Sequence, residues 1–401
     1  MIFSLPGSRI KENSHWNMEK LVTSSFKLGI IAGGQLGKML IQEASKWDVI
    51  SYVLDRDENC PASTIASHFI KGSNTDFEAV YQFGKKVDLL TYEIENINIE
   101  ALKELKSEGH KILPDPDILE LIQDKGKQKE FYQQKGIPTA PFKLYDSLED
   151  IKRGMDEDQI PFPFVQKLRK GGYDGRGVAV IHDKSEVHKL LDGASVVEDK
   201  VHIEKEIAVI AARNKKGEIK TYPVVEMVFD PQANLVDKLI CPSTITEEQS
   251  EKAIRLAGEI IDSLDMQGLL AVEFFIDSQG EVVVNEVAPR PHNSGHHTIE
   301  SIITSQFEQH LRAIFNLPLG STMPKLPAVM INVLGAEGYE GPVKYEGLTD
   351  SMAIKGVKIH LYGKKITQPF RKMGHITVLA GTLESALKKA EKVKQLIRVI
   401  S

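Results

Sequence analysis

The sequence predicts an α/β protein of three modules, the first of which contains a doubly wound parallel sheet. A buried-type strand at Leu28–Ile31 leads into a glycine-rich turn (32–39) and then into a helix that extends to about Trp47. A second strand, Val49–Leu54, follows this helix. Strands that alternate with helices form parallel βαβ units, and ligands of such sheets bind where the strands end. A length of 401 residues fits two or three domains.

Two further modules are predicted after the first. Asp115-Pro116 breaks the chain, and a helical stretch is expected from about Ile118 to Lys135. Segment 320–327 contains two prolines and is predicted to be a linker. The other expected elements are strands 163–167 and 178–181, a helix over 247–264, a hairpin over 269–287, strands 329–334, 358–362 and 376–380, and a Lys-rich helix. The expected boundaries are a flexible extension over 1–26 and modules over 27–118, 119–318 and 319–401.

The composition excludes several classes of protein. The formal net charge is −6 at pH 7, so no global positive field attracts nucleic acid or an anionic membrane surface. The longest apolar runs, such as Leu269–Val272, are far shorter than the ~20 residues that span a bilayer. Two cysteines exclude a disulfide framework and indicate a reducing compartment, so we expect a cytoplasmic location.

The first glycine-rich turn nearly matches a dinucleotide-binding fingerprint. Ala32-x-Gly34-x-x-Gly37 lies between a strand and a helix, and Asp55 ends the next strand. In that motif, backbone amides at a helix N-terminus bind an anion. Because Ala32 replaces the first glycine, a tight turn without a nucleotide explains the pattern equally well. The residue after Lys38 is neither Ser nor Thr, which excludes a Walker loop.

A second glycine-rich segment, GGYDGRG (171–177), predicts a loop that contacts a ligand. Its four glycines cost backbone entropy, and an ordinary hairpin turn needs only one or two. The polar members Tyr173, Asp174 and Arg176 would lie over phosphate groups, with Lys167 as a cation on the preceding strand. The alternative is a hairpin tip that binds nothing.

Two glutamates on a predicted hairpin form the strongest candidate site. A turn of Asp, Ser, Gln and Gly divides 269–287 into two strands, with Glu273 opposite residue 284 or 285 and Glu286 one or two positions away. A carboxylate within the apolar run LLAVEFFI is costly unless it is paired or binds a metal ion. Two carboxylates and the amide of Asn285 suit Mg²⁺, which usually also binds phosphate oxygens. The alternative is that Glu273 faces solvent.

Two more polar segments indicate anion binding. Loop 289–297 carries Arg290 and His292, which would hold an anionic substrate. Its histidines also allow a zinc site, although the Pro and Gly residues disfavour the helix that their spacing would need. In the tail, a basic run forms either a solvated face or a phosphate clamp; its members are Lys364, Lys365, Arg371 and Lys372.

Taken together, these motifs resemble the ATP-grasp carboxylate–amine ligases. The features that match are the Glu-x₁₂-Glu hairpin, the lysine on a strand before a glycine-rich loop, and the βα domain in front. Within that superfamily, residues 27–395 are similar to the N5-carboxyaminoimidazole ribonucleotide synthase family. The matching segments are GGQLGKM, TYEIEN (91–96), KGGYDGRG (170–177), NEVAPRPHNSGHHT (285–298) and YGKKITQPFRKMGH (362–375). The resemblance implies an ATP-grasp domain between an N-terminal Rossmann-like domain and a small β-rich C-terminal domain.

The resemblance also implies a reaction and its residues. ATP and bicarbonate would form carboxyphosphate, which carboxylates the amine of 5-aminoimidazole ribonucleotide in purine biosynthesis; Mg²⁺ and a homodimer are implied as well. The implied ATP contacts are Lys125, Lys167, Gly172, Tyr173, Asp174, Gly175, Arg176, Gly177, Val178, Glu198, Val201, Glu206, Asn285 and Glu286. The implied substrate contacts are Gln35, Glu93, Tyr173, Asp174, Arg176, His292, Asn293, Lys364 and Arg371. The implied catalytic residues are Asp174, Arg176 and Arg290, and the implied metal ligands are Glu273 and Glu286.

This sequence departs from the family pattern in a few places. Ala32 replaces a glycine, Lys125 stands where the family often has Arg, and one extra residue separates Lys364 from Arg371 relative to some members. Three other functions stay open: an ATP-grasp ligase for a different phosphorylated amine, a nicotinamide-dependent oxidoreductase, and a nucleotide sensor without turnover. The site cations are expected to converge on one basic cleft despite the negative net charge; they are Lys167, Arg176, Arg290, Lys364 and Arg371.

Overall fold

The computed structural model describes residues 24–172, 177–230 and 235–401. Most of the predicted N-terminal extension and the residues Tyr173, Asp174, Gly175 and Arg176 therefore lie outside the described part of the chain. Among the described residues, no helix has both the length and the apolar composition needed to cross a bilayer.

The N-terminal segment forms the predicted doubly wound sheet. Its elements are β1 (Lys27–Ile31), α1 (Gln35–Ala44), β2 (Ile50–Asp55), β3 (His68–Lys71), α2 (Phe77–Gly84), β4 (Leu89–Tyr92) and α3 (Ile99–Ser107). The strands pair in the order β3-β2-β1-β4, and all three pairings are parallel. Helix α1 packs on one face, and α2 and α3 pack on the other. Strand β3 was not predicted, because its four residues are partly or fully exposed and lack an apolar run.

The middle segment contains two sheets, and the region where Lys167 of the smaller sheet meets Asn285 of the larger sheet is called the cleft below. Its elements are α4 (Pro116–Gln123), α5 (Lys125–Lys135), β5 (Phe142–Tyr145), α6 (Leu148–Asp156), β6 (Phe164–Leu168), β7 (Val178–Ile181), β8 (Ser195–Asp199), β9 (Ile203–Arg213), β10 (Ile219–Thr221), β11 (Val225–Asp230), β12 (Leu235–Cys241), α7 (Glu247–Ser263), β13 (Gly268–Asp277), β14 (Val282–Ala288), α8 (Thr298–Ser301) and α9 (Gln306–Ile314). The smaller sheet is antiparallel, in the order β5-β8-β6-β7. The larger sheet includes β14, β13, β9, β11 and β12.

The predicted helical stretch over 118–135 is present, but Asp124 divides it into α4 and α5. The backbone of Asp124 is extended, and its side chain accepts hydrogen bonds from the amides of Gly126 and Lys127. The same carboxylate binds Arg169 Nε at 2.8 Å and Nη2 at 2.9 Å. An aspartate that caps a new helix satisfies amides which would otherwise lack partners, so α5 begins at Lys125 in a defined orientation.

The C-terminal segment extends the larger sheet. Its elements are β15 (Ala328–Leu334), β16 (Gly341–Pro342), β17 (Lys344–Glu346), α10 (Leu348–Met352), β18 (Val357–Leu361), β19 (Ile366–Thr367), β20 (Lys372–Leu379), α11 (Leu383–Leu396) and β21 (Arg398–Ile400). Strand β15 pairs with β12, and β20 and β18 continue the sheet to its edge. The predicted domain boundary at 318/319 stays a prediction. The pairing of β12 with β15 joins strands from the two sides of this boundary into one sheet.

The main core lies beneath the β13–β14 hairpin. Helix α7 contributes Leu256, Ile260 and Ile261, which pack against fully buried residues of β9, β13 and β14. Burial of each such side chain contributes about 1.5–3 kcal/mol. One face of the hairpin is therefore anchored in the core, and its opposite face is available to line the cleft.

The cap at Asp124 yields a stability prediction. Asp124→Ala removes the acceptor of two amides and leaves Arg169 unpaired, so we expect the free energy of unfolding to fall by about 3 kcal/mol. Asp124→Asn keeps the acceptor but loses the charge pair and should cost less. The control is Asp117→Ala, an exposed aspartate of α4 whose loss should cost no more than about 1 kcal/mol. Urea unfolding measures all three, and equal losses for Asp124→Ala and Asp117→Ala would contradict the assignment.

Candidate active site

The predicted glutamate pair lies on the cleft side of the β13–β14 hairpin. Glu273 is directly opposite Glu286, and not opposite residue 284 or 285 as predicted. The register changes between Glu273 and Phe274, which leaves Asn285 as an extra, unpaired residue of β14. Such a β-bulge redirects side chains and often occurs beside active sites. The flanking Val284 and Val287 both enter the core, and the bulge thus allows Asn285 and Glu286 together to face the cleft.

Two lysines reach this pair from different elements. Lys125 Nζ, at the start of α5, donates a hydrogen bond to Glu286 Oε2. Lys167 Nζ, on β6 of the smaller sheet, lies 2.8 Å from Asn285 Oδ1. The structure therefore brings two predicted ATP contacts, Lys125 and Lys167, to two others, Asn285 and Glu286, which follow them by more than a hundred residues in the chain.

The electrostatics of the pair fit a divalent cation. Burial, together with the adjacent charge of Glu286, raises the pKa of Glu273. Lys125 holds the pKa of Glu286 below its usual range. The charge of Glu286 thus disfavours the ionised form of Glu273, and a bound cation would reduce the repulsion between the two carboxylates. Glu273 and Glu286 offer the hard oxygen ligands that Mg²⁺ prefers, and phosphate oxygens and water would complete its coordination.

A buried ion-pair chain lies behind Lys167. Glu198 on β8 binds Lys167 Nζ through Oε2 and Lys129 Nζ through Oε1, each at 2.9 Å. Burial opposes the ionisation of Glu198, but the two ammonium groups together lower its pKa. Sequence reasoning did not assign Lys129, although its spacing of four from Lys125 predicts that both lysines lie on one face of α5.

Glu206 and Val201 are two other predicted ATP contacts that the structure describes. Glu206 of β9 is opposite Phe275, which is two residues from Glu273 on the same face of the sheet, and burial raises the pKa of Glu206 to about 7. Val201 lies in the connection between β8 and β9. This connection lines a cavity of about 420 Å³, together with Ser278.

Arg290 connects the cleft to the N-terminal sheet. Its Nη2 lies 2.7 Å from Oε1 and 3.0 Å from Oε2 of Glu95, which follows β4. His292 Nε2 is 3.4 Å from Glu273 Oε1. The Nε of Arg290 and the Nδ2 of Asn293 are buried and have no acceptor among the described residues. Sequence reasoning missed Glu95, although it is the second acidic residue of the TYEIEN motif.

The glycine-rich turn before α1 holds a carboxylate of the protein itself. Glu93 is buried, and it accepts hydrogen bonds from the amides of Gly34 and Gly37. Burial raises the pKa of Glu93 to about 7, against these two donors. Ala32 has φ +70°, in the region that favours glycine, as expected for the position of the missing first glycine of the fingerprint. Because Glu93 occupies the anion position, the turn offers no support for a nicotinamide dinucleotide. The predicted contact Gln35 is the first residue of α1.

Two cations of the tail, Lys364 and Arg371, contact carbonyl groups of their own segment. Lys364 Nζ donates to the carbonyl of Lys372 at 2.7 Å, and Arg371 Nη1 donates to the carbonyl of Ile366 at 2.6 Å. The convergence of these tail cations with Lys167 stays a prediction. Of loop 171–177 and the residue after it, the structure describes Gly171, Gly172, Gly177 and Val178. Val178, on β7, is opposite Lys167 of β6.

The zinc interpretation of loop 289–297 gains no support. Within the described residues, no three or more His, Cys, Asp or Glu side chains are grouped to hold a metal ion. His296 and His297 are buried, and their Nδ1 atoms contact Gln306 and Ser301 respectively. These histidines are accounted for by packing and hydrogen bonding.

The contact between Glu93 and the turn can be tested by adding one methyl group. A Cβ at Gly34 would collide with Glu93 Oε1, so Gly34→Ala should lower the free energy of unfolding by about 1–3 kcal/mol. The matched control is Gly258→Ala within α7, where a Cβ meets nothing within 4 Å. It should raise stability by about 0.5–1 kcal/mol. Chemical denaturation measures both, and a Gly34→Ala protein as stable as the wild type would contradict the packing described.

Family comparisons agree with this architecture. Residues 26–123 match the ribonucleotide synthetase preATP-grasp domain, residues 130–307 match the ATP-grasp domain, and residues 328–389 match the phosphoribosylaminoimidazole carboxylase C-terminal domain. The predicted ATP-grasp fold, with an additional domain on each side, is thus confirmed.

Curated relatives and solved structures point to one family. The N5-carboxyaminoimidazole ribonucleotide synthase of Bacillus subtilis is 37% identical, over 88% of this chain and 91% of its own length. A chloroplastic phosphoribosylaminoimidazole carboxylase of Vigna aconitifolia is 38% identical over 89% of this chain, which spans only 65% of that longer protein.

The solved structures cover nearly the whole chain. The N5-carboxyaminoimidazole ribonucleotide synthetase of Thermotoga maritima is 46% identical, with a TM-score of 0.86, and the match covers 94% of this chain and 99% of that one. An Aspergillus clavatus N5-carboxyaminoimidazole synthase in complex with ADP and 5-aminoimidazole ribonucleotide is 32% identical, with a TM-score of 0.84, over 93% of this chain and 98% of that one. This chain belongs to the N5-carboxyaminoimidazole ribonucleotide synthase family of ATP-grasp enzymes.

Proposed function

We propose that this protein uses ATP and bicarbonate to carboxylate the amine of 5-aminoimidazole ribonucleotide, giving N5-carboxyaminoimidazole ribonucleotide, ADP and phosphate in purine biosynthesis. The observation that carries the proposal is the opposed Glu273–Glu286 pair, which two lysines from separate elements approach. Family membership supplies the identity of the amine.

The reaction has two steps. A bicarbonate oxygen attacks the γ-phosphorus of ATP, the bond to the bridging oxygen of ADP breaks, and carboxyphosphate forms. The amine nitrogen then attacks the carboxyl carbon, the bond from that carbon to the phosphate oxygen breaks, and the amine loses a proton. No described residue is needed as a general base, since the departing phosphate can take that proton.

The residues of the cleft balance the charge that moves in these steps. Lys125 and Lys167 would stabilise the phosphate oxygens, because fixed cations in a site closed to water act strongly on developing negative charge. Glu273 and Glu286 would hold Mg²⁺, which supplies charge neutralisation on the phosphates when bound. The two buried donors on Arg290 and Asn293 would bind the carboxyl or phosphate oxygens of the intermediate.

Asp174 and Arg176, proposed as catalytic residues that also contact ATP and substrate, lie outside the described residues, as do Tyr173 and Gly175. The roles of these four, and of Gln35, Glu93, Lys364 and Arg371 in binding the ribonucleotide, stay proposals that rest on the family. A homodimer and a cytoplasmic location complete the proposal on the same basis.

The overall activity can be tested by ADP release. Purified protein with ATP, Mg²⁺ and bicarbonate should release ADP much faster when 5-aminoimidazole ribonucleotide is added, because the amine consumes carboxyphosphate. Other phosphorylated amines, such as glycinamide ribonucleotide, are the controls that separate this enzyme from other ATP-grasp ligases. Well-folded protein whose ADP release is indifferent to the aminoimidazole would disprove the proposal.

The proposed metal ligands can be tested by substitutions that remove the carboxylate charge and keep the volume of the side chain. Glu286→Gln and Glu273→Gln should each lower kcat by about 100-fold or more, because a catalytic metal ion contributes several kcal/mol. Without Mg²⁺, Glu273→Gln should not reduce thermal stability, since it removes one of two adjacent like charges. Glu286→Gln also removes the partner of Lys125 and should be less stable than the wild type. Glu281→Gln, on the exposed turn of the same hairpin, is the matched control. Substantial activity in Glu286→Gln would contradict its role as a ligand.

A further inference from the structure

Lys129 is a buried cation that none of the roles above uses. Its side chain on α5 is 4% exposed, less than the 13% of Lys167 and the 21% of Lys125. Burial lowers its pKa to about 8, although the charge of Glu198 opposes this shift. A buried lysine is costly unless a specific partner holds it, so its position needs an explanation.

The contacts of Lys129 connect the two walls of the cleft. Its Nζ lies 2.9 Å from Glu198 Oε1 on the smaller sheet and donates to Thr139 Oγ1. Thr139 Oγ1 in turn donates to the carbonyl of Val284 at 2.8 Å, on β14 directly before Asn285. Lys129 is thus tied to the strand that carries Asn285 and Glu286, although it touches neither residue.

Glu198 is shared between two ammonium groups. One carboxylate oxygen binds Lys129 and the other binds Lys167, each at 2.9 Å. Lys167 then extends to Asn285 Oδ1. If Lys129 were neutral, Lys167 would be the one cationic partner of Glu198 among the described residues. The full charge of Glu198 would then draw the Lys167 ammonium back from Asn285.

We propose that Lys129 is a positioning residue: by occupying one oxygen of Glu198, it keeps the Lys167 ammonium extended toward Asn285, where the phosphates of the nucleotide bind. The inference rests on the proposed function for the placement of the phosphates. It assigns Lys129 no contact with substrate, because its Nζ is enclosed by Glu198 and Thr139 behind the cleft lysines.

The first test measures nucleotide affinity in the full-length protein. Lys129→Met keeps the length of the aliphatic stem and removes the charge. Titration calorimetry with Mg²⁺ and a non-hydrolysable ATP analogue should give a Kd about tenfold higher than that of the wild type. Lys127→Met is the matched control, because Lys127 lies on the same helix but pairs with Glu120 at 3.3 Å on the surface; its Kd should not change. An unchanged Kd for folded Lys129→Met would overturn the proposal.

The second test separates positioning from direct contact. Glu198→Gln is the reference here, because Glu198 is itself an implied ATP contact. Once its charge is gone, adding Lys129→Met should change the Kd by less than about threefold relative to Glu198→Gln alone. If Lys129 instead touched the phosphates, the double variant would bind about tenfold more weakly than Glu198→Gln, which would overturn the proposal. Because the double variant buries neither charge, it provides this comparison even if Lys129→Met does not fold.

Steady-state kinetics give an independent readout. Lys129→Met should raise the KM for ATP about tenfold and leave the KM for the aminoimidazole ribonucleotide unchanged, and the double variant should have the same KM for ATP as Glu198→Gln. A parallel rise in both KM values would indicate a general structural role and contradict positioning. The binding titrations need neither bicarbonate nor the amine, so failure of the proposed carboxylation and failure of this inference give different results.

Discussion

Two glutamates face each other across one hairpin, and the surrounding structure is arranged to balance their charge. A carboxylate pair in a half-buried position is unfavourable unless cations or a metal ion are close. Lys125 approaches Glu286 from a helix, Lys167 approaches Asn285 from the smaller sheet, and His292 lies beside Glu273. The bulge at Asn285 is the local device that turns two consecutive side chains toward these partners. The side chains around the two glutamates are therefore those that balance their negative charge.

The same constraint explains how the three parts of the chain depend on one another. The cap at Asp124 sets the start of α5 and hence the position of Lys125, and its partner Arg169 follows the strand that carries Lys167. Arg290 connects the loop after β14 to Glu95 of the N-terminal sheet. Strands of the C-terminal segment lengthen the sheet to which the hairpin belongs. A change in any one of these contacts would shift charged groups that act together.

The turn before α1 shows that one local sequence pattern can bind either an external anion or a carboxylate of the same chain. Its glycines and the helix N-terminus form a place for an anion, as in dinucleotide-binding folds. Here Glu93 supplies that anion from within the chain, and Gly34 leaves room for its carboxylate. The overall charge of −6 is likewise uninformative about the cleft. The lysines there are each paired with a glutamate; they are Lys125, Lys129 and Lys167. Because these glutamates offset the positive charges locally, the group of lysines has little effect on the net charge of the chain.

The sequence by itself determined the alternation of strands and helices, the hairpin of Glu273 and Glu286, and, through its motifs, the family. These features depend on periodicity, turn residues and spacing, which are local properties. Only the tertiary structure decided that Glu286 lies opposite Glu273, that Asp124 begins a new helix, and that Glu93 binds the glycine turn. The partnership of Lys129 with Glu198 and that of Arg290 with Glu95 were also decided there. Each joins residues distant along the chain, and their energy comes from charges and amides that meet only when separate elements pack.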